Sequence, residues 1–402
     1  MTNVINLLAG LGADHPVARL REARPDALLN AERSFEALLE PVNPGTFTYG
    51  ERYAVATYVA GLHGADDART FYAELLLDDA PSSLGDALSA ALTGAASAGP
   101  SSGTGVHLHD TAVFGPRLAA ALDIAHLMVF HPRDADPAAM GHLRTAGWSE
   151  DDIVSLTQLI AFLTFQLRVV HGLQALAGRD VTVSTPPRLT GEDAPWPEVA
   201  PPDVVAPTRF VRHPLGWVPW VSPVPEADLT PEQIDSLIRP ERAGMPYFRL
   251  LARDPDALRA RTLTDLDIFY NTDGGLSRAE REFSATVTSR FNGCEYCTSV
   301  HAARTVEEGG DEKDVDTLLR DGVHADLAAD RASALREASL ALSTTPATYG
   351  ESEITRLRNV GLDDTALLDH VYATAFFNWA NRLMLVLGEA DVPARYRESD
   401  AV

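Results

Sequence analysis

Lysine is almost missing from this sequence. Lys313 is the only one in 402 residues, and with 33 basic against 57 acidic side chains the formal charge is −24. A chain this acidic repels polyanions, so nucleic acid and an anionic membrane surface are unfavourable partners, which leaves small molecules and proteins. Cysteine is nearly as scarce, with two in total. No charged-then-apolar leader stands at Met1-Thr2-Asn3, so neither a secretory signal nor a transit peptide is expected, and the chain reads as cytoplasmic. Strand signals are few. The longest apolar run, Leu156 to Leu176, is interrupted by Gln158, Gln166, Arg168 and His171, side chains that are expensive in hydrocarbon, so it predicts a buried helix rather than a membrane span. No phosphate loop, dinucleotide fingerprint, zincin helix or serine elbow occurs, and nicotinamide or flavin binding has no local support.

What is present is helix. With 45% hydrophobic residues the chain can bury ample core, and its length suggests two or three domains. Thr230-Pro231-Glu232-Gln233 and Ser277-Arg278-Ala279-Glu280 carry capping-box logic, and Ser149 before Glu150, Asp151 and Asp152 starts another helix. Leu367, Val371, Phe376 and Trp379 recur at helical spacing. The fold class expected is all-α.

Two helical regions, 1–180 and 240–402, flank a stretch of different composition, 181–239. Pro186, Pro195, Pro197, Pro201, Pro202, Pro207, Pro214, Pro219, Pro223 and Pro225 exclude long helices there. Trp196, Phe210, Trp217 and Trp220 are costly to leave wet, so this linker is expected to be an ordered strap packed on a domain surface. The Gly/Ser-rich stretch at 96–105 reads as a surface loop. The two helical regions also resemble each other. The segment from Gly50 lies on the segment from Ala279 without a gap, pairing Gly64 with Gly293, and the segment from Leu143 matches that from Leu357, pairing Gly147 with Gly361 and Arg168 with Arg382. An internal duplication accounts for both matches. In this register Ala65 and Ala68 stand where the cysteines are, and Tyr72 where His301 is.

Both cysteines fall in "NGCEYCTSVHAA", residues 292–303. Two cysteines placed at random in a chain of this length would be three apart in roughly one sequence in two hundred, so the spacing carries information. In a reducing compartment the pair is a poor permanent staple, which leaves cycling redox chemistry, metal binding or packing of two buried thiols. Cys294, Cys297 and His301 sit at i, i+3 and i+7, on one face of a helix whose entrance is expected at Asn292-Gly293. The positive end of the helix dipole would then lie under the first sulfur, and a neutral imidazole one turn beyond Cys297 could accept a thiol proton. Glu282, on the preceding helix, could orient that base. A second cluster, His107, His109 and Asp110, has metal-like composition but follows the Gly/Ser stretch and is not taken as a metal site. Asn378, Asn381 and Arg382 interrupt an apolar helix and read as caps for neighbouring elements or as a subunit contact.

The pattern Glu282, then Cys294-Glu295-Tyr296-Cys297, then His301 resembles the signature of the AhpD-like alkylhydroperoxidases of the carboxymuconolactone decarboxylase-like superfamily. The resemblance covers most of residues 240–390; residues 30–175 resemble the same superfamily with the motif erased. It implies two tandem AhpD-like helical domains and an enzyme that reduces organic hydroperoxides through the cysteine pair. In that reading Cys297 is the attacking thiolate and Cys294 the resolving one, while Glu282 and His301 move the proton. Tyr296 stands where the well-studied branch has a histidine, and a tyrosine can still donate a hydrogen bond. The resemblance implies no bound cofactor and no metal. It implies an external dithiol, such as a thiol reductant protein or a lipoyl- or thioredoxin-like donor, and self-association into a homo-oligomer. A lactone decarboxylase-type reaction and a non-catalytic redox-sensing scaffold are the alternatives.

Overall fold

The computed structural model of the chain describes residues 3–97, 99–101, 107–181 and 204–397. It is 68% helical, and the all-α expectation holds. The first half runs through α1 (Val4–Leu8), α2 (Pro16–Leu20), α3 (Pro25–Leu39), α4 (Tyr49–Leu62), α5 (Asp66–Asp79), α6 (Ser82–Leu92), α7 (Thr111–Phe130), α8 (Pro137–Thr145) and α9 (Glu150–Leu176). After strand β1 (Gly216–Pro219) come α10 (Pro231–Ser236), α11 (Pro246–Leu251), α12 (Pro255–Tyr270), α13 (Arg278–Asn292) and α14 (Glu295–Glu307). The chain closes with α15 (Glu312–Asp321), α16 (Asp330–Ser343), α17 (Glu351–Asn359), α18 (Asp364–Val386) and strand β2 (Gly388–Asp391). The starts follow local chemistry. Thr230 and Gln233 close a capping box on α10, Ser277 and Glu280 one on α13, and the Ser149 side chain accepts from Asp152 N to start α9.

The glycines paired in the sequence share their backbone geometry. Gly64 (φ 66°) and Gly293 (φ 77°) both take the left-handed conformation that a side chain resists. Each precedes a helix N-cap of nearly the same shape, Ala65 at φ −91°, ψ 76° and Cys294 at φ −84°, ψ 93°. Gly147 (φ 93°) and Gly361 (φ 89°) make the second matched pair. There Trp148 N donates to Leu143 O and Leu362 N to Leu357 O, both at 3.1 Å.

One buried apolar cluster runs through both halves, from Val4 to Leu387. At its centre α9 packs on α18: Phe162 and Phe165 lie 5.3 and 5.4 Å from the Trp379 ring, and Phe165 6.3 Å from Phe376. Full burial of side chains this size stabilises by about 1.5–3 kcal/mol each. α7 and α9 are long and apolar enough to cross a membrane, but their most apolar windows are 72% and 94% buried by the protein itself, as in core helices.

Two buried arginines join the halves reciprocally. Arg168, on α9, donates to Leu342 O and Ser343 O at the end of α16, both at 3.0 Å. Arg382, on α18, donates to Met128 O at 2.7 Å and Val129 O at 3.0 Å at the end of α7. The register that pairs Arg168 with Arg382 also pairs Met128 with Leu342. Arg24, just before α3, adds a fully buried ion pair to Asp369 on α18 at 2.8 Å.

The described part of the linker is a strap. β1 pairs antiparallel with β2, Trp217 opposite Ala390. The Trp217 indole donates to Met384 O at 3.0 Å and that of Trp220 to Glu389 at 3.1 Å, while the Arg290 guanidinium sits 3.9 Å over the Phe210 ring. Pro186, Pro195, Trp196, Pro197, Pro201 and Pro202, and half of the Gly/Ser stretch, lie outside the described residues.

Arg382→Met leaves buried carbonyl oxygens of α7 without a donor and should cost about 3 kcal/mol or more. A urea midpoint within error of wild type would show that the reciprocal caps do not hold the halves together.

Candidate active site

α13 and α14 are joined by the tight turn at Gly293, which is the left-handed C-cap of α13, with Cys294 as the N-cap of α14. This corrects two expectations. Asn292-Gly293 ends one helix rather than opening the next, and Cys294 sits at the boundary while Cys297 and His301 lie inside α14. A side chain at Gly293 would collide with Arg133 from the first half, whose Cδ is 2.5 Å from where a Cβ would sit. A side chain here would have to displace Arg133, and the φ of 77° already favours glycine.

The asparagines of α18 hold the turn. The Asn292 amide donates to Asn381 Oδ1 at 3.0 Å and Asn378 Oδ1 at 3.2 Å, and Asn381 donates to Ser289 Oγ at 3.0 Å. Asn378, Asn381 and Arg382 thus cap and tie neighbouring helices, one of the two roles read for them in the sequence.

Both cysteines are free thiols and buried, with the Cys294 thiol donating toward the Cys297 sulfur at 2.9 Å. Burial pushes the Cys294 thiol well up, and the adjacent Cys297 sulfur adds to that. The helix dipole was expected to favour a thiolate at Cys294; desolvation wins instead. Cys294 stays protonated and Cys297 is the acceptor of the pair.

Glu282 and His301 meet across α13 and α14. Imidazole Nδ1 hydrogen-bonds the carboxylate, which is fully buried and also takes an ion pair from Arg278 one helical turn before it. Burial raises the Glu282 carboxyl, but the charges of His301 and Arg278 and the His301 hydrogen bond outweigh it and hold the group below its ordinary range. Among the described residues no hydrogen bond joins His301 to either sulfur, so the expected direct handover of a proton from Cys297 needs a bridging atom. The imidazole packs edge-on against Phe377, centroids 4.1 Å apart.

Over Cys294 opens a cavity of about 410 Å³ lined by Tyr296, Met384, Leu385, Trp217 and Trp220 of the strap, and Arg133. The linker and the first half therefore both help to form the mouth of the cysteine site. Arg278 was legible as an i, i+4 partner of Glu282 but was missed; the strap was legible as a packed surface element but not as part of this mouth, and Arg133 carries no local signal. The residues of the His107, His109, Asp110 cluster serve the fold. His109 bonds Asp123 at 2.8 Å and the Tyr58 hydroxyl at 2.9 Å, Asp110 caps α7, and no group of three or more such side chains among the described residues is arranged to hold a metal.

Residues 255–339 match the model of the carboxymuconolactone decarboxylase family, a segment that contains Glu282, both cysteines and His301. The match is consistent with an AhpD-like, carboxymuconolactone decarboxylase-like superfamily member. Members of that family are typically enzymes, peroxidases or decarboxylases. No curated protein matches the chain.

A carboxyl held low in the folded protein contributes stability in full above its unfolded value and loses it as the pH falls through the folded one. The stability advantage of wild type over Glu282→Gln should therefore be complete at pH 7 and shrink below the ordinary carboxyl value of 4.5. Urea midpoints whose gap is unchanged at pH 3 would contradict this account of the pair.

Proposed function

We propose that the protein is a thiol-dependent peroxidase that reduces organic hydroperoxides through Cys294 and Cys297, with Glu282 and His301 as its proton relay and an external dithiol as reductant. The observation that carries this reading is the sulfur pair itself, two buried free thiols in contact at a helix start with a carboxylate–imidazole pair one turn further along. The thiolate of Cys297 attacks the hydroperoxide, the O–O bond breaks, and a sulfenic acid and an alcohol result. The Cys294 sulfur then displaces water to form the disulfide, and a dithiol returns both sulfurs to thiols. That Cys294 is the protonated donor supports this order. Cys297 is the sulfur free to act as nucleophile.

A lactone decarboxylase reaction is the second reading, favoured by the family match. It needs a proton donor and acceptor and has no use for a sulfur pair. The cysteines separate the two.

Reduced protein should consume cumene hydroperoxide in the presence of a dithiol, and one equivalent of hydroperoxide should lower the intact mass by two hydrogens. Cys297→Ser should abolish turnover, and Cys294→Ser should leave a sulfenic acid trappable at Cys297. Thiols that survive the oxidant would end the peroxidase reading; trapping at Cys294 would reverse the two roles.

A further inference from the structure

Beside the cysteine turn lies a group of hydrogen-bond donors with nothing to donate to. Arg261, on α12, is only 6% exposed. Its Nε is buried without an acceptor, and among the described residues no hydrogen bond or ion pair reaches the guanidinium. Aromatic rings hold it, with Phe376 at 5.0 Å, Trp379 at 5.8 Å and Tyr247 at 5.9 Å from its central carbon. Two of those rings bring orphan donors of their own, since the Tyr247 hydroxyl and Trp379 Nε1 are both buried and unpartnered.

Burial pushes the Tyr247 hydroxyl up to about 12, and it lies within electrostatic reach of Arg261 and of both cysteine sulfurs. Its ring stands edge-on to Trp217 at 5.4 Å, and Trp217 lines the cavity over Cys294. Asp265, one helical turn further along α12, answers part of the Arg261 charge; burial raises its carboxyl and Arg261 draws it back down. Arg261 Nε, the Tyr247 hydroxyl and Trp379 Nε1 still lack an acceptor, and buried donors left so are costly, so such a cluster is expected to take an acceptor from a ligand. The bland account is that cation–π contacts, the Asp265 charge and water suffice for Arg261. It assigns the hydroxyl no role in chemistry.

We propose that Tyr247 and Arg261 hold the leaving oxygen of the hydroperoxide while Cys297 attacks. This rests on the peroxidase reading above and adds the group that reading lacks. As the S–O bond forms and the O–O bond breaks, the negative charge of the Cys297 sulfur passes to an alkoxide, RO⁻, which takes a proton to become ROH. Donors fixed beforehand at the alkoxide position stabilise that charge as it develops. His301, tied to Glu282 and unbonded to sulfur, is left to supply and recover the proton.

The test compares two reagents on reduced, full-length protein. Cumene hydroperoxide needs its departing oxygen stabilised; iodoacetamide needs only a reactive sulfur. Tyr247→Phe keeps the ring on Trp217 and gives up no hydrogen bond, so it should melt as wild type does. Its rate constant for oxidation by cumene hydroperoxide should fall about 10- to 100-fold, with alkylation unchanged. Arg261→Lys keeps the charge and moves the donors, and should show the same split; if it does not fold, Tyr247→Phe decides alone. An unchanged oxidation rate in Tyr247→Phe overturns the proposal, as does a parallel fall in alkylation, which would mean that the hydroxyl tunes the thiol instead. Wild type that does not react with hydroperoxide removes the peroxidase reading and this inference with it, whereas reactive wild type with an unaffected variant removes this inference alone.

Discussion

A buried guanidinium has to be met by oxygen atoms, and in this chain meeting that demand is what joins the two halves. Arg168 and Arg382 are each almost fully enclosed, and burial pushes the Arg382 group down to about 9. Each finds its acceptors at the C-terminal end of a helix in the other half, where unpaired carbonyls and the negative end of the dipole favour a cation. Other carbonyls at these helix ends, Leu127, Leu340 and Ala341, are met by donors of their own half, and the arginines take the ones beyond. The aromatic packing of α9 on α18 supplies most of the contact, and the arginines fix its register.

That register reaches the cysteines through a continuous run of hydrogen bonds. Arg382 binds the carbonyls of Met128 and Val129 and also Asn378 Oδ1, at 2.9 Å. The same oxygen accepts from Asn292, two residues before Cys294. The first half therefore contributes to the position of the cysteine turn, a second time through Arg133 packed on Gly293. Buried polar networks of this kind specify one arrangement because any shift leaves a group unpaired. A turn held this way can keep two sulfurs in contact.

Much of this was legible in the sequence because it is local. Capping boxes at Thr230 and Ser277, the helical period of Leu367, Val371, Phe376 and Trp379, and the paired glycines depend on neighbours a few residues apart. The grouping of Cys294, Cys297, His301 and Glu282 was legible for the same reason, since one turn and two adjoining helices bring them together. What failed was the balance of forces. The helix dipole at Cys294 could be read from spacing; the burial that outweighs it comes from residues distant in the sequence. Tyr247, Arg261 and Trp379 were not legible as a cluster at all, because a donor becomes an orphan only when the fold removes its water.

The first half shows what the turn is without its chemistry. Ala65 and Ala68 occupy the cysteine positions, and the Tyr72 hydroxyl, where His301 would be, bonds Gln166 on α9. Tyr72 is fully buried and burial pushes its hydroxyl far up, so it serves as a fixed donor inside the core. A cavity of about 310 Å³ remains over this turn, lined by His63, Asp66 and His171 where the other is lined by Met, Tyr and Trp. Alanine for cysteine changes little in a packed helix start, so the sulfurs could be absent without cost to the backbone. The turn could not be lost so easily. It belongs to the arrangement of α4, α5 and α9 that presents the end of α7 to Arg382, and through Arg382 it supports the turn that does carry sulfur.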